Sequence, residues 1–267
     1  MGSYIVEESP GMIRRLAREA LRNCWMEAIG ATLLFLVLAE ALPSLFANYI
    51  RIADIAFVTP GGVVHDSMIA EVYSFLMPGI MLFGFTEFFL AAFRLRDVKV
   101  ERVFDGFDNF GKAFLLMTVQ KFFVLLWTLC FIIPGIVAAY RYSMAFYILV
   151  DDPSKGVMEC IRESKERMKG NKLRLFFLHL TYVGWIVLAS VPVGVLSSLA
   201  GIRPGGPYIE SNVFLAILIN LAGVIPIAAA FCYVQMGVTC FYEIQTGHLV
   251  SREAPSAYLP EDPNGVR

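Results

Sequence analysis

Polar residues nearly vanish from six stretches of this chain: 28–49, 68–93, 113–133, 136–150, 175–200 and 213–244. Each is near or above the roughly 20 apolar residues that cross a bilayer, except 136–150, which is shorter. In lipid every backbone N–H and C=O must be paired within its own segment, so each stretch reads as a helix. Two further segments show a helical stripe rather than a continuous apolar run. In 9–25, Ser9-Pro10 supplies a cap and a first-turn proline. Ile13, Leu16, Ala17, Ala20, Leu21 and Cys24 then follow one face, and Arg14, Arg18 and Arg22 fall four apart on another, with Arg15 beside them. In 153–170, Asp152-Pro153 opens a helix and Gly170 closes it. Val157, Ile161, Ser164 and Met168 form its stripe, and Glu163 with Arg167 is a favourable i,i+4 pair.

The third and fourth runs meet at Ile133-Pro134-Gly135-Ile136, which reads either as one kinked helix or as a hairpin turning at Pro134 and Gly135. Charge decides. With two helices, one side holds Arg14, Arg15, Arg18 and Arg22, the five cations from Arg94 to Lys112, the seven from Lys155 to Arg174, and Arg252 and Arg267. The other side holds only Arg51 and Arg203. The positive-inside rule therefore gives six transmembrane helices with both termini cytoplasmic. Leu33 to Leu38 followed by Ala39-Glu40-Ala41 has the form of a signal peptide. The apolar run continues through Leu45-Phe46, however, so it is read as an uncleaved first helix.

The expected fold is thus all-α: a polytopic membrane helix bundle of about six transmembrane helices arranged as three hairpins. It carries an amphipathic N-terminal helix (9–25) and a cytoplasmic helix (153–170) between helices four and five. Residues 1–250 form a single integral membrane domain and 251–267 a short tail. The composition agrees: 57% hydrophobic and 17% charged residues do not suit a water-soluble core and surface.

Chemistry is sparse. The five cysteines form no C-x-x-C pair and the three histidines have no ligand spacing, so neither a metal nor another cofactor is expected. No nucleophile or phosphate-binding motif is present, and an enzyme is not expected. A net charge of -1 gives no reason to expect nucleic acid. The informative residues are the charges inside apolar runs: Glu40, Glu87, Lys121 and Arg141. A charge at mid-membrane costs about 2.5–3.5 kcal/mol, so each should find a partner. Counting helical rise from the run ends puts Glu87 and Lys121 at matching depth near the inner side, and Glu40 and Arg141 together in the outer half. They form either structural ion pairs or a polar pathway.

Several stretches together resemble the bacterial integral-membrane family catalogued as domain of unknown function 975. They include Ile132-Ile133-Pro134-Gly135-Ile136, Tyr140-Arg141-Tyr142-Ser143-Met144, Asp151-Asp152-Pro153, Ser164-Lys165 and Met168-Lys169-Gly170-Asn171-Lys172. The resemblance covers roughly residues 10–245. It implies a multi-pass protein of the bacterial cytoplasmic membrane and supplies no activity or catalytic residues. The expected function is non-enzymatic engagement of lipids or partner proteins. The lipid partners are anionic headgroups at the cytoplasmic face, held by Arg14, Arg15, Arg18 and Arg22. The alternative is a small-solute or ion transporter or channel using the intramembrane charges.

Overall fold

Ser9 starts the first helix as a cap should: its extended backbone turns the chain and its hydroxyl accepts from Met12 N–H at 3.3 Å. Helix α1 (Pro10–Leu21) buries Ile13, Ala17 and Leu21. The chain then bends by 100° into α2 (Trp25–Leu36), which continues through one π-helical turn, Val37–Ala41. The computed structural model describes residues 5–43, 54–59, 62–199 and 213–249. After α2 come two short antiparallel strands, β1 (Asp54–Thr59) and β2 (Gly62–Ser67), with Asp54 opposite Ser67 and Thr59 opposite Gly62. The sequence reading had no strands here. Two β-branched and aromatic runs flanking Pro60-Gly61 are nevertheless a hairpin signal.

Helix α3 (Met68–Arg94) brings four aromatic rings into the core, with Phe83, Phe85, Phe88 and Phe89 buried. Phe85 stacks on Phe35 of α2 at 4.5 Å. Past Arg94 the chain reverses at Arg96, whose φ of 52° is left-handed, and returns along α3 as a 3₁₀ helix, Val100–Phe107. Two glycines permit the approach. A Cβ on Gly84 would lie 2.0 Å from Val103 O, and one on Gly106 would lie 2.0 Å from Ile80 O. Small residues at such contacts let backbones gain dispersion that bulkier side chains would block, which matters where lipid removes the hydrophobic driving force.

Helices α4 (Phe110–Cys130) and α5 (Ile132–Tyr142) form an antiparallel hairpin, so the third and fourth runs are two helices rather than one. The reversal is not at Pro134 and Gly135, as expected. It is at Phe131, which is extended. Phe131 N–H donates to Trp127 O and Phe131 O accepts from Gly135 N–H, both at 3.2 Å, so both its backbone groups are paired. Pro134 lies in the first turn of α5, where its missing N–H leaves one fewer orphan donor. Gly135 is a packing residue: a Cβ there would meet Thr128 Oγ1 at 2.1 Å.

Four helices follow. Short α6 (Ala145–Asp151) is buried from Ala145 to Leu149. Helix α7 (Val157–Arg167) is shorter than the 153–170 read from sequence. Asp152 spends its side chain on a turn with Ser154 N–H (3.1 Å), so the helix begins after Gly156 instead. Gly170, with φ of 79°, closes the end as expected. Helices α8 (Lys172–Leu199) and α9 (Val213–Thr246) pack against each other, and α9 also touches α1, α2 and α3. Among the described residues, five helical segments are long and apolar enough to cross a membrane, or six if the bent α1–α2 pair is one span. Cys24, Cys160, Cys232 and Cys240 are buried as small apolar packers and Cys130 is exposed.

Candidate functional site

Both described termini lie at one end of the bundle. Val6 N–H donates to Asn171 Oδ1 at 3.0 Å ahead of α8, and Gln245 at the end of α9 reaches the Arg167 carbonyl. Helix α1 crosses this end. Its apolar side seats on α9 and α8, and Tyr233 of α9 donates to the Arg14 carbonyl at 3.1 Å. The four arginines named from sequence divide accordingly. Arg14 is half-buried, and its Nη1 lies 3.5 Å from Thr181 O, so it belongs to the packing. Arg15, Arg18 and Arg22 are exposed; Arg15 is held to Glu19 at 3.0 Å.

Beneath Arg18 a groove of about 470 Å³ opens between α8 and α9. Its walls are apolar: Leu188, Ala189, Pro192, Pro226, Ala229 and Ala230. The end nearest α1 is framed by Trp25, Trp185 and Tyr233, with ring centroids 6.4 Å apart for Trp25–Tyr233 and 6.3 Å for Trp185–Tyr233. Tyr182 packs edge-on against Tyr233 at 4.8 Å and occupies the space that the absent side chain of Gly237 leaves. The sequence reading did not foresee a groove.

A family model described as a protein of unknown function (DUF975) matches residues 9–140 and 129–243. The chain belongs to this family. No curated protein and no solved structure matches it.

The intramembrane charges of this DUF975 protein are not arranged as the sequence suggested. Glu87 is not paired with Lys121. Its carboxylate is 3.5 Å from Arg102, whose guanidinium also binds Asp97 at 2.7 Å and lies 4.0 Å from Asp105. The depth count went wrong because it treated 95–109 as a connection outside the bundle. That segment folds back along α3 and delivers Arg102 to Glu87. Lys121 is exposed on α4 and makes no ion pair among the described residues. Arg141 sits beside α7. Ser164 Oγ donates to the Arg141 carbonyl at 3.1 Å and accepts from Met144 N–H at 3.2 Å. The Glu40 side chain lies outside the described residues, so its pairing with Arg141 is not addressed.

The best-connected ionic cluster was overlooked. Arg94, the last residue of α3, donates from Nε and Nη2 to Glu243 Oε1 (2.9 and 2.6 Å) and from Nη1 to Asp151 Oδ1 (2.6 Å). Tyr242 Oη donates to Asp151 Oδ2 at 2.6 Å, and His248 Nδ1 lies 3.1 Å from Glu243 Oε2. Arg167 of α7 sits 5.5 Å from the Tyr242 ring centroid. One guanidinium thus ties the ends of α3, α6 and α9 together. Neither Arg94 nor Glu243 is among the four charges that the sequence singles out. The usable signal was one cation and two anions at the same ends of three apolar runs.

Proposed function

We propose that this protein is a non-enzymatic, multi-pass membrane protein that engages anionic lipids through its basic end, which faces the cytoplasm of a bacterial cell. The observation that carries the reading is α1: capped, amphipathic, seated by its apolar side on α8 and α9, and left with Arg15, Arg18 and Arg22 exposed. Basic side chains on an amphipathic helix are attracted to anionic headgroups by about 1 kcal/mol each. The alternative, a route for a solute or ion, draws no support from Glu87, which is committed to Arg102, or from Lys121, which stands apart on α4.

The test is thermal stability of the purified protein in vesicles of phosphatidylglycerol against phosphatidylcholine. The parent should melt several degrees higher in the anionic lipid, with the difference shrinking in salt. A variant with Arg15, Arg18 and Arg22 all changed to Gln should lose the difference. Equal melting of the parent in both lipids would sink the reading. Orientation is read from Met158→Cys, because Met158 is 58% exposed, in a background with Cys130 and Cys160 changed to Ser. Labelling by an impermeant thiol reagent is expected only from the cytoplasmic side. Native Cys160 is a poor reporter: it is buried, and burial pushes its thiol up to about 11.

A further inference from the structure

We infer that the groove between α8 and α9 is a binding site for one anionic phospholipid, with its phosphate at Arg18 and an acyl chain along Leu188, Pro192, Pro226 and Ala229. This rests on the lipid reading above and narrows it from a charged surface to a single built site.

Three features argue for this occupant. The groove's volume of about 470 Å³ falls in the range of small-molecule sites, about 300–1,000 Å³, yet among the described residues its distal lining has no side chain that a polar solute could bond. From Trp185 to Pro192 it runs seven residues along α8, about 10 Å, so its shape is that of a slot. Alanines 189, 229 and 230 make the hollow, because a larger side chain at any of them would fill it. Charge lies at one end only. Arg18 is the sole cation among the described lining residues, and the 100° bend after α1 sets it over the mouth. The polarity therefore runs from cation through aromatic frame to apolar slot. A phospholipid runs in the same order, from phosphate through glycerol and esters to acyl chain, and Trp and Tyr favour that intermediate level.

A free fatty acid shares the anionic head and single chain, so the test separates the two. The protein has three tryptophans. Changing Trp127, 43% exposed on α4, to Phe leaves Trp25 and Trp185, both lining the groove, as the emitters. Quenching by brominated phosphatidylglycerol, brominated phosphatidylcholine and brominated oleate is then titrated in mixed bilayers. Phosphatidylglycerol should quench half-maximally at roughly fivefold lower mole fraction than phosphatidylcholine. Arg18→Gln should erase that preference. Ala230→Phe, or Ala189→Leu if the first variant does not fold, should reduce quenching by every lipid. Oleate preferred over phosphatidylglycerol would overturn the phospholipid assignment. Variants that are quenched like the parent would reduce the groove to ordinary bilayer contact. If Arg18→Gln keeps the anionic preference while the triple arginine variant loses it in melting, the groove fails and the broader lipid reading stands. A parent with no anionic preference in either assay overturns both.

Discussion

Arg94 holds Glu243 through two nitrogens, at 2.9 and 2.6 Å, and the Glu243 side chain is only 2% exposed. A carboxylate in that setting depends on its partner, because removing one member of a buried pair leaves an uncompensated charge. The same guanidinium serves Asp151. Arg94→Gln therefore strands two acids, whereas Glu243→Gln leaves the Arg94–Asp151 pair intact. Arg94→Gln should destabilise by about 3 kcal/mol. Glu243→Gln should cost about 1 kcal/mol. Denaturation of the two variants in the same detergent checks the order; a larger loss for Glu243→Gln would contradict the shared-cation arrangement.

Glu87 gives a second comparison. Its partner is Arg102, not Lys121. A double-mutant cycle of Glu87→Gln with Arg102→Met should show coupling of about 1 kcal/mol. The cycle of Glu87→Gln with Lys121→Met should be additive. Coupling to Lys121 would mean that the fold-back of residues 95–109 along α3 is not maintained.

That fold-back depends on Gly84. A methyl group there meets the Val103 carbonyl backbone, which has no rotamer to yield. Gly84→Ala should cost about 3 kcal/mol, the upper range for overpacking. Gly111→Ala, with nothing within 4 Å of the new Cβ, is the control and should be neutral or slightly stabilising. Melting temperatures decide, and equal behaviour of the two would count against the close contact.

Glu163 links α7 to pH. Burial works to raise its carboxyl, but hydrogen bonds from Lys155 (2.8 Å) and Arg167 (2.7 Å) outweigh it and hold the group below the usual carboxylate range. A depressed carboxylate contributes stability that is present above its unfolded value, here 4.5, and is lost as pH falls through the lower folded value. Hydrogen exchange in α7 should therefore accelerate as pH drops below that window, after correction for intrinsic rates. Glu163→Gln should exchange faster at neutral pH and show less acid dependence. An unchanged profile in the variant would remove Glu163 from the account.

Much of the architecture could be read from the chain because lipid imposes local rules. A crossing helix needs a long apolar run of its own, so α3, α4, α8 and α9 begin and end within about three residues of the runs that announced them. The Ser9 cap, the Gly170 terminus and the Glu163–Arg167 pair are likewise contacts within one turn, and sequence spacing fixes them. The strand pair flanking Pro60-Gly61 was also legible locally and was passed over. What no local rule reaches is the choice of partner. Glu87 meets Arg102 because a reversal at Arg96 and two missing Cβ atoms carry the connection back along α3. Arg94 meets Glu243 across 149 positions of sequence because three helix ends converge. Arg18 meets the groove because α1 bends over a seam between α8 and α9. Spacing along a chain sets which face of a helix a residue occupies, but the rotation of that helix, and the path of the chain between helices, are settled by packing among segments far apart in sequence.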